Sequence, residues 1–325
     1  MPSGHAASAQ DRVFAMDTIA VKTMIPIFFL MGAGFVSRKT GILKSGDERV
    51  LSAYVYYFAM PALTLLNLAE TEFTAETFRF MLAGILPVFG ILLLCLLFYY
   101  AFRLPRHTVY LWILSSVFGS VAFFGVPFVS FAFPTAQGER LALLAVASIA
   151  PISVATCITV LELYQLKTAT VAEGLKPVLI NFSKNPLILS ILLGFFLGLT
   201  GLKIPSPVLS SIRMIGGTTS TTAIFMLGVF LYGRTYTFLL QGVKLSLIRI
   251  LLLPCLAILT TRLLRLPDLE STVLILMHGT PIAVSVIVLS ERYDFYKETI
   301  ASLILVSSVG GGIFLTAWLF LLGYQ

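Results

Sequence analysis

Charge is what this chain has least of. Of its 325 residues only 11% are charged, and aspartate and glutamate together number 15. Average soluble chains carry about 25% charged residues. With 58% hydrophobic residues and a mean hydropathy of +0.97, the chain is a polytopic membrane protein, and its apolar runs leave no room for a separate soluble domain. Cysteine is scarce too. Cys95, Cys157 and Cys255 all sit in apolar runs. Their spacing fits neither a disulfide framework nor a metal site, so they read as small buried hydrophobes. No paired carboxylates, metal-ligand spacing or nucleophile with a base occurs within the apolar runs, which argues against a membrane-embedded enzyme. Residues 1–16 lack the apolar core of a signal peptide. They are expected to form a disordered extension, with Met16 as an alternative start.

What is present is a series of apolar runs of about 20 residues, the length that crosses a bilayer. Ten spans are expected, at roughly 19–36, 50–68, 78–102, 109–133, 141–163, 186–202, 208–232, 239–264, 272–289 and 300–322. Ten spans put both termini on one side. The net charge of +7 could suggest nucleic acid, but the basic residues fall in short loops where the positive-inside rule expects them. Fourteen of the 22 Lys and Arg residues, Lys244 and Arg249 included, fall on the inner side if the termini are outside. The expected placement is the cell membrane, with N- and C-terminus out.

Two runs are interrupted. Phe118–Pro127 reads Phe-Gly-Ser-Val-Ala-Phe-Phe-Gly-Val-Pro, and Met277–Pro281 reads Met-His-Gly-Thr-Pro. Proline removes a backbone donor and clashes with the carbonyl four residues back. In hydrocarbon such a break survives only against protein or a water-filled cavity. Paired interruptions in two halves point to a transporter's binding site. The halves also resemble each other. Gly34-Phe35 and Thr40-Gly41-Ile42 recur as Gly194-Phe195 and Thr200-Gly201-Leu202 at an offset of 160. Gly125-Val126-Pro127 recurs as Gly279-Thr280-Pro281 at an offset of 154. Five spans per half is odd, so the second half enters upside down. The expected divisions are 1–16, a first five-helix repeat at 17–165, a cytoplasmic connection at 166–184, and an inverted repeat at 185–325. Chance matches in Gly- and Pro-rich membrane helices remain the alternative origin of this similarity.

At a helix break, N-terminal ends offer unpaired N–H groups and partial positive charge, which hold an anion without an arginine. The acidic residues sit in loops or near span ends, so a buried proton-carrying carboxylate pair is not expected, nor is an acidic cation/proton antiporter. His278 beside the second break either titrates during transport or bonds a backbone carbonyl. Ser120 and Ser285 either donate to a substrate or bond back into their helices. The Thr218–Thr222 run either lines a cavity or packs helices closely.

The order and spacing of these strings resemble the auxin efflux carrier family, in its bacterial and archaeal branch of malate and malonate permease-like proteins. The resemblance runs from about Met16 onward. It rests on Pro26–Gly34 with Arg38 and Thr40-Gly41-Ile42-Leu43, and on Tyr57-Phe-Ala-Met-Pro-Ala-Leu63. Further strings are Phe124-Gly125-Val126-Pro127, Lys184-Asn185-Pro186, Thr280-Pro281-Ile282-Ala283-Val284 and Glu291-Arg292-Tyr293. It implies an all-α fold of ten transmembrane helices in two inverted five-helix repeats, with broken helices 4 and 9 crossing. It further implies elevator-type alternating access, a carboxylate substrate bound at the crossing, and often a homodimer. Ser120 and Ala122 stand where the family frequently has Asn and Gly, and Phe123 and Phe124 add apolar surface, so a plant-hormone substrate is not implied. The expected substrate contacts are Ser120, Gly125, Val126, Pro127, His278, Gly279, Thr280, Pro281 and Ser285. No cofactor or metal is expected, and the coupling ion, Na+ or H+, stays open beside uniport. The alternative reading is a sodium-coupled organic-anion symporter of the bile-acid type; a channel would need a continuous pore in place of two breaks.

Overall fold

A computed structural model describes residues 25–165, 183–234 and 236–324. The expected N-terminal extension and most of the 166–184 connection lie outside the described residues. Among those described, the chain is helical throughout and forms no strand, apart from one isolated antiparallel bridge between Gly119 and Ile282.

The helices, in order, are α1 (25–39), α2 (Asp47–Ala69), α3 (Ala75–Phe102), α4 (Arg106–Val117), α5 (Val121–Ala132), α6 (Ala136–Gln165), α7 (Pro186–Thr200), α8 (Ser206–Leu231), α9 (Leu239–Leu263), α10 (Asp268–His278), α11 (Val286–Tyr293) and α12 (Lys297–Leu321). Six of them, α2, α3, α6, α8, α9 and α12, are long and apolar enough to cross a membrane. Helix starts follow local chemistry. Thr74 caps α3 through the Thr77 N–H, and Asn185 caps α7 through the Leu187 and Ile188 N–H groups, satisfying donors that the first turn leaves free.

Proline shapes three of the helices in the same way. A π-turn occupies Val55–Ala59, Val121–Gly125 and Ile248–Leu252, and each is followed two residues on by a proline, at Pro61, Pro127 and Pro254. A proline cannot donate to the carbonyl four residues back, and widening the preceding turn relieves the clash. At Pro254 the freed carbonyl is that of Ile250, and Trp318 Nε1 of α12 donates to it at 3.0 Å.

Close approach through glycine links helices far apart in sequence. A Cβ on Gly34 of α1 would stand 2.0 Å from the Phe225 carbonyl oxygen of α8, and one on Gly228 of α8 would stand 1.8 Å from the Met31 oxygen of α1. A Cβ on Gly194 of α7 would stand 2.7 Å from Leu68 Cβ and 3.2 Å from the Leu65 oxygen of α2. Gly34 with Phe225 and Gly194 with Leu65 are the same contact displaced by 160 residues (194 − 34, 225 − 65). The helices form two groups. In one, α2 packs on α7 and α8, and α1 meets α8; in the other, α9 packs on α3, α10 and α12, and α6 packs on α3, α4 and α10.

The Gly216–Thr222 run serves packing. Gly216 lets α8 sit against the Leu63 backbone, Thr219 Oγ1 bonds back to the Gly216 carbonyl, and the Tyr54 and Thr218 hydroxyls pair at 2.8 Å.

Candidate substrate site

The expected fourth and ninth spans are both interrupted at mid-length. Between α4 and α5 the chain is non-helical at Phe118–Ser120, and between α10 and α11 it is non-helical through Pro281–Ala283. These two stretches pair. The Ser120 N–H donates to the Pro281 carbonyl at 2.7 Å, and the Ala283 N–H donates to the Phe118 carbonyl at 3.0 Å. Backbone groups that a break would strand in an apolar interior thus satisfy one another. Ser307 Oγ of α12 accepts from the Ile282 N–H at 3.2 Å.

The interruption lies upstream of Pro127. That proline stands inside α5 behind its π-turn, and the chain leaves the helix at Phe118–Ser120, where Gly119 imposes least restriction. Pro281 lies within the non-helical stretch itself, and it biases Thr280 away from helix. Gly311 on α12 makes room for it: a Cβ there would be 2.5 Å from Pro281 Cγ.

Each break exposes two kinds of helix end. The N–H groups of Val121, Ala122 and Phe123 at the start of α5, and of Val284 and Ser285 ahead of α11, have no partner among the described residues. The carbonyl ends of α4 and α10 are held by one side chain that the sequence reading placed elsewhere. Arg249 belongs to the π-turn of α9, fully inside the protein at 2% exposure. Its Nε donates to the Thr280 carbonyl at 2.6 Å, its Nη2 to Thr280 Oγ1 at 3.0 Å, and its Nη1 to the Ser116 carbonyl. The guanidinium lies against Gly119, where a Cβ would be 1.5 Å from Nη2.

Two expectations are corrected here. Arg249 and Lys244 are not loop residues, since both lie within α9. A guanidinium also sits at the crossing, where helix ends alone were expected to hold an anion without an arginine. The signal was legible: an arginine eleven residues into an apolar run is an intramembrane charge, and such charges mark function. The Lys and Arg tally hid it by counting it toward the loops.

The other expected residues fall as follows. Gly125 touches the second break, where a Cβ would be 2.8 Å from Met277 Sδ and 2.9 Å from Thr280 Cγ2. Val126 and Pro127 follow it, buried, in α5. Ser120 and Thr280 lie at the crossing, and Ser285 is half-buried just before α11. Gly279 faces Leu315 and Pro254. His278 turns toward α3, where its Nε2 meets the Gly84 carbonyl at 2.9 Å. That is the backbone-bonded arrangement weighed against a titrating role. Thr280 is 0% and Ser120 6% exposed, while Phe118, Gly119, Ala122, Phe123 and Ser285 around them are partly exposed. A cavity of about 380 Å³ lies elsewhere, bordered by Arg262, Arg265 and Asp268.

Interrupted apolar helices, joined by paired non-helical segments around a buried cation, define a multi-pass membrane protein with a polar centre. A family model described as membrane transport protein matches residues 19–319, and the chain belongs to that family, the auxin efflux carrier family. It is similar to an uncharacterized transporter of Methanocaldococcus jannaschii, MJ1031, at 24% identity over 314 residues, covering 92% of this chain and 98% of that protein. It is also similar to the uncharacterized transporter YfdV of Escherichia coli K12, at 22% identity over 312 residues, covering 94% and 98%.

Proposed function

We propose that this membrane transporter is a secondary carrier for a small organic anion, a carboxylate, held where the two interrupted helices cross. The observation that carries the reading is the pairing of Phe118–Ser120 with Pro281–Ala283. It fixes two helix starts side by side, with their first N–H groups unspent. Such groups and the partial positive charge behind them suit a carboxylate. The N–H groups of Gly125, Val126 and Gly279 are spent on Ser120, Val121 and Ile275 within their own helices, so the donors on offer are those of Val121, Ala122, Phe123, Val284 and Ser285. Pro127 and Pro281 shape the crossing, and Ser120 and Ser285 add hydroxyls.

The finer architecture is part of the proposal. We read the chain as ten crossings in two inverted halves, α1 to α6 and α7 to α12, with both termini outside the cell membrane. The repeated glycine contact at an offset of 160 supports this reading, because a pseudo-two-fold axis carries the α1–α8 contact onto the α7–α2 contact. Alternating access of the elevator type is supported by the division of the helices into two groups, which such a mechanism moves against each other.

The test is a thermal-shift screen of the purified protein against carboxylates, with and without sodium. A saturable rise in unfolding temperature with a carboxylate is expected, and none with its amide. Sodium dependence of that rise would favour the bile-acid-type symporter. Pro127→Ala restores an N–H and lets the π-turn relax, while Pro281→Ala frees the non-helical stretch. Each is expected to weaken carboxylate binding about tenfold or more, the loss of roughly one charge-assisted hydrogen bond. Unchanged affinity and transport in both variants would overturn the reading.

A further inference from the structure

Arg249 is a buried cation with no acid beside it among the described residues. The charged contacts found among the described residues, Glu70 with Arg213, Glu48 with Arg234 and Asp294 with Lys297, all involve side chains away from the crossing. An arginine keeps its proton even when buried, and a buried charge needs compensation. The guanidinium obtains part of it from the peptide groups it touches. Ser116 is in the last turn of α4, and Thr280 follows the end of α10. The C-terminal end of a helix carries roughly −0.5 charge and the N-terminal end roughly +0.5. Two C-terminal ends therefore offset one guanidinium. The two N-terminal ends, at α5 and α11, are then left with a combined charge of roughly +1. Without the arginine the four ends would cancel among themselves, and the crossing would have no net preference for an anion.

A second observation lies at the same place. The Ser116 hydroxyl is fully buried and has no hydrogen-bond partner among the described residues. Its own carbonyl is an Arg249 acceptor. A polar group left unsatisfied in an interior is costly, and here it belongs to the residue whose carbonyl takes the guanidinium.

We propose that Arg249 is the fixed charge that makes the crossing an anion site. It is a positioning residue, acting through the two helix ends it caps, and it sets the site to take one carboxylate group. The proposal rests on the carboxylate reading above and deepens it. The three donor contacts hold α4, α10 and the π-turn of α9 as one unit, so the charge stays with the crossing and does not travel with solvent. Proton coupling at this residue is excluded by its chemistry, and charge balance is completed by the transported anion.

The experiment compares Arg249→Gln and Arg249→Lys by carboxylate-induced thermal shift, using acetate, malonate and acetamide as probes. Gln places an N–H where Nε stands and keeps the bond to the Thr280 carbonyl without the charge. Lys keeps the charge with fewer bonds. Wild type and Lys are expected to respond to acetate or malonate and not to acetamide, and Gln is expected to weaken the response at least tenfold while its ligand-free unfolding temperature stays close to that of Lys. That split between charge and stability would not arise from a brace alone. Should Gln fail to fold, Arg249→Leu combined with Gly119→Ala fills part of the vacated space, and it is expected to fold and not to respond. A Gln or Leu/Ala protein that binds the carboxylate as tightly as wild type overturns the proposal and leaves the carboxylate reading standing. A wild-type protein indifferent to every carboxylate overturns both.

Discussion

Adding one methyl group at Gly119 is expected to damage this protein more than most changes of larger size. The Cβ of an alanine there would stand 1.5 Å from Arg249 Nη2 and 2.1 Å from Cζ. A flexible side-chain end usually moves aside from such a contact at small cost. This one cannot, because it is buried and makes three hydrogen bonds. If the guanidinium stays, the paired non-helical stretches must part. If it leaves, the Ser116 and Thr280 carbonyls lose a donor and a charge is displaced into apolar surroundings. Overpacking alone costs roughly 1–3 kcal/mol, and stranding a buried charged group brings the total to about 3–5 kcal/mol. The thermal unfolding of Gly119→Ala in detergent should show a large fall. A fall of only a degree or two would mean that the guanidinium is free to swing out. Gly217→Ala is the control: nothing lies within 4 Å of its Cβ, and alanine in place of a helical glycine is expected to stabilise by roughly 0.5–1 kcal/mol.

The second large effect is expected at the contact between α1 and α8. Gly34→Ala and Gly228→Ala would each drive a methyl into a backbone oxygen, at 2.0 and 1.8 Å. Backbone has no rotamer to change, so the helices must separate. Both variants are expected to lose about 3 kcal/mol or more, beyond ordinary overpacking. Gly194→Ala, at the equivalent contact between α7 and α2, meets a side-chain Cβ at 2.7 Å and a backbone oxygen at 3.2 Å, and is expected to lose less. The predicted order of unfolding temperatures, lowest first, is Gly228 and Gly34, then Gly194, then wild type, then Gly217. A Gly34→Ala protein as stable as wild type would show that α1 and α8 do not touch here.

Much of this was legible along the chain. The interruption at Gly119 and Ser120 and the one before Pro281 were both found from glycine and proline in apolar runs. The matched pair Gly34 and Gly194 was found by repetition. What misled was the assumption that the proline marks the break. Pro127, seven residues downstream of Ser120, widens the turn at Val121–Gly125, and the chain opens at glycine, where φ and ψ are least constrained. His278 was correctly placed at the second break. Its orientation toward Gly84 was not readable, because nothing in sequence says which way round α10 is rotated.

The sequence by itself determined the class of the protein and where along the chain its two interruptions fall. Those follow from the cost of unpaired peptide groups and of charge in hydrocarbon, and such costs are counted residue by residue. The tertiary structure decided what the interruptions do. Phe118 meets Ala283, and Arg249 reaches Ser116 across 133 positions of chain. Contacts of that kind depend on which faces of separate helices meet, and hydropathy along a single chain carries no record of it.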